Sequence, residues 1–276
     1  AAKVGGALVT DSRVRAVSFT GGLAAGRAIG AACAQDIKPS QLELGGNNPL
    51  VVLADADLPA AIDGVVTAIT TLNGQWCRAL GRLLVHRSLA EPLLAGVMDK
   101  LAEVPLGSSL DEASAMGPLV SRNHRGVVDA QLRQLQELGG QLHQSTPLPE
   151  MAGWFHPPTL VTGLAPEQTL DEIFGPVATV HTFESDEEAV FLANQTPFGL
   201  AAYVFGEEEH AWSVARQLRS GLIKINAVTM LNLHPQAPRP AWGLSGLGDE
   251  GTVETFEFFR GTRVIGVAAR PGGAGS

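Results

Sequence analysis

Two apolar rhythms alternate along this chain. β-rich runs occur at Val14–Phe19, Pro39–Leu44, Leu50–Leu53, Gly81–His86, Thr159–Val161, Ala178–Phe183, Ala201–Phe205 and Leu222–Asn226. Between them apolar residues recur at helical spacing. Leu23 to about Ala34 is one such stretch. Leu58–Leu72 carries Val65, Ile69 and Leu72, and Leu89–Ala102 carries Leu93, Leu94, Val97 and Leu101 on one face. Ser121 is placed to cap a helix whose face holds Val128, Leu132, Leu135 and Leu138 before Gly139-Gly140 stops it. Ser185 with Glu188 reads as a capping box for a helix to Asn194. Glu207-Glu208-Glu209 opens the next, where the dipole favours acids, and Ala211, Val214, Ala215 and Leu218 face inward from it. A mixed aromatic stretch after Thr252 and a strand at Thr262–Val267 are expected to close the fold, ahead of a disordered tail at Pro271–Ser276. Strand and helix in alternation make the fold class α/β.

Composition narrows the partners. The chain has 276 residues, 45% hydrophobic and 17% charged, enough for a large core and for one or two domains. Net charge is −9 and the 19 basic residues are scattered singly, which argues against nucleic acid or an anionic membrane. No apolar run reaches the ~18 residues of a membrane span, and no signal peptide opens the chain. Two cysteines, Cys33 and Cys77, make no disulfide framework, so a reducing cytoplasmic setting is expected. The seven histidines never fall at metal-ligand spacing, so no metal is assigned. There is no Met at position 1, and the opening Ala-Ala-Lys-Val-Gly-Gly reads as the middle of a domain. A fragment or cleaved product is therefore expected.

The candidate chemistry centres on Gly74-Gln75-Trp76-Cys77 and Leu42-Glu43-Leu44-Gly45-Gly46. Cys77 follows a Gly that ends an apolar helical stretch, and a thiol at a helix start would gain thiolate character. Glu43 leaves a strand run into a Gly pair, so its carboxylate is expected at a cleft. Together they offer a nucleophile and a base to activate water. Alone, each half is weak, since single cysteines are mostly core and carboxylates mostly solvated. Cys33, on an Ala-rich face, is assigned to the core. The strand before Thr20-Gly21-Gly22 and the helix after it form half of a βαβ unit, whose helix N-terminus can hold a pyrophosphate. A Gly-rich turn in any α/β protein would look the same.

The specific signal is the order of several pieces. Ser18-Phe19-Thr20-Gly21, Leu42 to Pro49, Gly74 to Cys77, Glu172-Ile173-Phe174-Gly175-Pro176 and Asn194 to Leu200 occur in sequence, with 34 residues from Glu43 to Cys77. From about Val4 to about Val267 the chain resembles the aldehyde dehydrogenase superfamily, its C-terminal part. The resemblance implies a partial Rossmann-type cofactor domain at 1–46, an α/β catalytic thiol domain at 47–245, and a return with an oligomerisation strand at 246–270 ahead of the tail at 271–276. It implies NAD or NADP as cofactor, held by Gly21, Gly22, Gly26, Leu44, Gly45, Glu172 and Phe174. Glu172 would bind the nicotinamide ribose. Cys77 would attack the aldehyde, and Glu43 would deprotonate the water that hydrolyses the thioester, with the Cys77 N–H as one arm of an oxyanion hole. A homo-oligomer, dimer or tetramer, is implied for the full-length protein.

Two departures stand out. Gly22 replaces the family's usual Ser, and the loop Thr229–Trp242, expected at the substrate entrance, runs into Pro240-Ala241-Trp242-Gly243-Leu244-Ser245-Gly246 without the family's Lys. Two other readings stay open: a non-catalytic remnant or subunit, and a cofactor-independent thiol esterase. The chain by itself is expected to be inactive as a dehydrogenase.

Overall fold

The computed structural model describes residues 2–229 and 233–268. Helix α1 (Ala2–Thr10) lies beside α2 (Leu23–Gln35), with Val4 and Leu8 exposed on its outer face. Its end is tied down by Lys38, whose Nζ donates to the carbonyls of Val9 and Asp11 at 2.8 Å each. Strand β1 (Val17–Thr20) runs parallel to β2 (Ser40–Glu43), with Val17 opposite Ser40 and Thr20 opposite Glu43, and α2 crosses between them. Gly26 sets how closely α2 can approach: a Cβ there would lie 2.4 Å from a Leu44 methyl.

Past Gly45-Gly46 the chain enters a second, seven-stranded sheet. Its strands are β3 (Asn48–Val52), β4 (Leu80–His86), β5 (Gln141–His143), β6 (Thr159–Thr162), β7 (Val177–Phe183), β9 (Ala201–Phe205) and β10 (Leu222–Ile225). The short β8 (Phe198–Gly199) lies just outside it. The order is β10-β9-β3-β4-β7-β6-β5, parallel throughout except for β5 at the edge. Alternation decides which face each residue fills. Leu50 and Val52 pack with α3 (Leu58–Thr70) and α4 (Ala90–Ala102), whereas Val51 and Leu53 pack with α6 (Asp186–Ala193) and α7 (Glu208–Ala215). All four are fully buried, each worth about 1.5–3 kcal/mol of transfer free energy. A third cluster places Val128, Leu132 and Leu135 of α5 (Arg122–Glu137) over Val161 and Val177. Two helices start on side-chain caps: Asp57 receives the Ala60 N–H and Ser121 the His124 N–H.

The chain then returns. β11 (Arg239–Pro240) pairs with β14 (Asp249–Glu250), β12 (Trp242–Gly243) pairs with β8, and β13 (Gly246–Leu247) runs antiparallel to β2 with Gly246 opposite Glu43. Ser245 locks this return: its Oγ accepts from the Gly199 N–H at 2.9 Å and its carbonyl from the Leu44 N–H at 2.8 Å.

Several expectations need correction. The helix from Leu58 ends at Thr70, because Leu72 and Asn73 have φ of 50° and 60°, outside helical space. Leu138 is 52% exposed and adds nothing to the core. Glu188 accepts from the N–H of Glu184, one residue before the cap, so the Ser185 motif is not a true capping box. The aromatic stretch forms α8 (Thr252–Phe259). Residues 261–268 form no strand and pair with no sheet edge among the described residues. The tail at 271–276 lies outside the described residues.

Candidate active site

Cys77 sits on the connection from α3 to β4, and the route there is tightly built. Leu72, Asn73 and Gly74 take φ of 50°, 60° and 69° in succession. Gly74 has a second reason to be Gly, since a Cβ would come within 2.3 Å of the Pro176 nitrogen. Asn73 Oδ1 accepts from the Gly117 N–H at 2.8 Å, and Gln75 Oε1 accepts from the Val120 N–H at 2.9 Å. Cys77 itself lies in a turn leading into β4. No helix starts there, so the expected helix-dipole activation of the thiol is absent. Asn48, at the start of β3, fixes the turn: its Nδ2 donates to the carbonyls of Cys77 and Ala79 at 3.0 and 2.8 Å, while its Oδ1 accepts from the Ala201 N–H. Tyr203 Oη donates to the Arg78 carbonyl at 2.7 Å.

Glu43, 4% exposed, ends β2 and faces this turn. Arg78 joins the two. Its Nη2 donates to Glu43 Oε1 at 3.0 Å and its Nη1 to Cys77 Sγ at 3.7 Å. Burial pushes the Glu43 carboxyl up to about 7, opposed by the Arg78 charge. Burial also raises the Cys77 thiol above its ordinary value. Arg78 pulls it back, whereas Glu43, Glu250 and Glu172 push it further up. The thiol is therefore protonated at neutral pH, beside a carboxylate that titrates near neutrality and can serve as a base.

Glu172 approaches from the loop before β7. Its Oε1 accepts from the Gly46 N–H at 3.1 Å, and a Cβ on Gly45 would lie 1.9 Å from its Oε2. Gly45 thus leaves room for a carboxylate from more than a hundred positions away. Burial raises the Glu172 carboxyl, and the Gly46 N–H opposes it. Gly21 ends the β1 turn, and Gly22 is the N-cap of α2, with no side-chain cap and open space where a Cβ would stand. Gly26 and Leu44 meet each other as packing partners. Phe174 is 38% exposed and meets His124 edge-on at 5.9 Å. Cys33 is buried, as its apolar helix face foretold. Among the described residues no group of three or more His, Cys, Asp or Glu is placed to hold a metal ion, and no helix is long and apolar enough to cross a membrane.

Sequence reading missed Arg78, Asn48, Ser245 and Lys224. Asn48 and Ser245 lie within the quoted motifs, but nothing in their spacing reveals bonds to residues as distant as Ala201 from Asn48 or Leu44 from Ser245. Lys224 did leave a signal, as a charge inside the apolar run Leu222–Asn226. It is 5% exposed, its Nζ donates to the carbonyls of Val228 and Thr229, and burial followed by the Arg78 charge lowers it to about 8.

Residues 1–265 match the family model described as "Aldehyde dehydrogenase family". Among characterised proteins, the betaine aldehyde dehydrogenase of Bacillus subtilis (strain 168) is 36% identical, over 96% of this chain and 57% of its own length. The succinate-semialdehyde dehydrogenase [NADP(+)] of Mycobacterium leprae (strain TN) is 32% identical, over 95% and 58%. A crystal structure of Staphylococcus aureus betaine aldehyde dehydrogenase in complex with NAD+ superposes with a TM-score of 0.86 at 32% identity, covering 92% of this chain and 51% of that one. The chain spans about half the length of the curated relatives it matches.

Proposed function

The chain belongs to the aldehyde dehydrogenase family, and from that premise we propose that it carries the thiol and the base of an NAD(P)-dependent oxidation of an aldehyde to a carboxylic acid. The observation that carries the proposal is the buried Arg78 guanidinium, which contacts both the half-buried Cys77 sulfur and the buried Glu43 carboxylate. Cys77 Sγ forms a bond to the aldehyde carbon while the carbonyl π pair moves to oxygen. Its proton leaves to solvent, so Glu43, whose carboxyl titrates at about 7, remains free to act as the base in the later water step. Arg78 stabilises the developing thiolate, which offsets the cost that burial places on it. Loss of hydride leaves a thioester on Cys77. Glu43 then takes a proton from water, the water oxygen bonds to the acyl carbon, and the C–S bond breaks to free the acid and the thiol.

The residues present fit a dinucleotide. The N-terminus of α2 has no side-chain cap and Gly22 leaves room beside it, which suits an anionic pyrophosphate. The Glu172 carboxylate, held on the Gly46 N–H, suits vicinal ribose hydroxyls. The nicotinamide ring supplies the hydride acceptor when bound. Gly21, Gly45 and Phe174 complete the proposed cofactor side, with Gly26 and Leu44 setting the spacing of α2 from the strand behind it. On this reading residues 1–46 belong to the cofactor domain, 47–245 to the catalytic domain and 246–270 to a return used in a homo-oligomer. The substrate is a small aldehyde and the setting cytoplasmic. The relatives' names span betaine aldehyde and succinate semialdehyde.

The test pairs this chain with the first half of a relative and follows reduced cofactor with a panel of aldehydes. Turnover is expected, and Glu43→Gln is expected to give a single burst per site followed by slow release, because an amide cannot take the proton from water. Unchanged steady-state turnover in Glu43→Gln would remove that residue from the mechanism. Ester hydrolysis without any dependence on NAD or NADP would identify a thiol esterase, for which Cys77 and Glu43 alone suffice.

A further inference from the structure

Two cations beside Arg78, Lys224 and Arg239, have no task in the oxidation described above. Arg78, Lys224 and Arg239 line one cavity of ≈ 410 Å³, with His234 at its rim and Leu222 and Ala237 as apolar wall. The Arg78 side chain is 7% exposed, and its buried Nε has no hydrogen-bond partner among the described residues. Arg239 Nε is in the same state: the nearest acid, Glu250 Oε2, lies at 3.8 Å, beyond hydrogen-bond reach. Among the described residues, Lys224 Nζ donates to the backbone carbonyls of Val228 and Thr229 and lies 6.0 Å from the centre of the Tyr203 ring. The acids that meet this cluster are Glu43 and Glu250, so three fixed cations outnumber their carboxylates. Buried donors left without an acceptor cost about 1–3 kcal/mol each, more when charged, and charge of one sign focused in a cleft attracts its counter-ion. Arg78 links the cavity to the nucleophile: it lines the cavity, and its Nη1 lies 3.7 Å from Cys77 Sγ.

We propose that this cavity is an anion subsite that holds the carboxylate of an acidic aldehyde, a short-chain ω-oxo acid, with its aldehyde carbon presented to Cys77. This rests on the dehydrogenase reading of Cys77. Arg78, Arg239 and Lys224 supply the positive charge, and the apolar wall takes the methylene chain. A quaternary ammonium aldehyde would be repelled from the same walls.

The charge preference is readable at the thiol without turnover. Cys77 in this chain is alkylated at pH 7 with anionic iodoacetate and with neutral iodoacetamide, and the ratio of rates is compared with that of N-acetylcysteinamide. The expected ratio exceeds that of the free thiol by about tenfold or more. It should fall back in Lys224→Met and in Arg239→Gln, while the iodoacetamide rate, which reports an intact site, holds. A ratio no higher than the free thiol's, or one retained in the double variant, overturns the subsite. If neither reagent labels Cys77, the dehydrogenase reading fails. The cavity is then decided by calorimetry alone: tighter binding of glutarate than of glutaramide supports it, and equal binding overturns it.

Discussion

At Glu43 and Cys77, burial outweighs every partner in setting the chemistry, and Arg78 is the compensation. Glu43 titrates at about 7 in the folded chain, against 4.5 in its ordinary state. Between those values the folded form holds a proton that the unfolded form lacks, so this residue's contribution favours folding below pH 4.5 and is lost as pH rises through 7. Removing Arg78 removes the charge that makes ionised Glu43 tolerable. Arg78→Met is therefore expected to cost about 3 kcal/mol at pH 8, where a buried carboxylate is left unpaired. The loss should shrink at pH 6, where Glu43 takes up a proton instead. Urea unfolding at the two pH values measures this, and an equal loss at both would mean that Arg78 acts by packing alone. A lone Arg after a Cys gives no hint of this in sequence, where basic residues read as solvated surface.

At the scale of elements, the connection Leu72-Asn73-Gly74 concentrates backbone strain directly before the nucleophile. Left-handed φ at a non-glycine residue costs about 1–2 kcal/mol. Leu72 is 64% exposed, so its side chain returns little of that. Leu72→Gly is expected to stabilise the fold by about 1 kcal/mol, whereas Gly74→Ala, forced against Pro176, should destabilise it by about 3 kcal/mol. Thermal unfolding of the pair checks both signs. If both substitutions destabilise alike, Leu72 is held by contacts and not by strain. The elements were legible wherever burial is symmetric or a cap is explicit. Val51 and its neighbours form a run that only a covered strand explains, and Ser121 announces α5. Helix α1 was invisible because Gly5-Gly6 breaks its pattern and its outer face stays exposed. The strand expected at Thr262–Val267 failed for the opposite reason: β-propensity needs a partner edge, which composition cannot supply. The same limit applies to the site. Cys77, Glu43 and Glu172 stood in legible motifs, but their meeting depends on Asn48, Ser245 and Gly45, whose contacts are long-range.

On the whole molecule, apolar surface remains uncovered. Val264, Ile265 and Val267 are 91%, 79% and 93% exposed, and β1 pairs only with β2, leaving its outer edge open among the described residues. Open edges and contiguous apolar segments favour pairing with another chain. Sedimentation velocity is expected to show association that grows with concentration and weakens in a Val264→Lys, Ile265→Lys variant; a concentration-independent monomer would contradict this. The large sheet carries a consequence of another kind. β3 lies between β4 and β9, yet β9 begins at Ala201, about 150 residues after β3 ends. At ~5–20 residues per second, a ribosome needs roughly 8–30 s to deliver that neighbour. Throughout that interval the middle of the sheet is an edge, so newly made chains depend on whatever shields Leu50 to Leu53 until translation catches up.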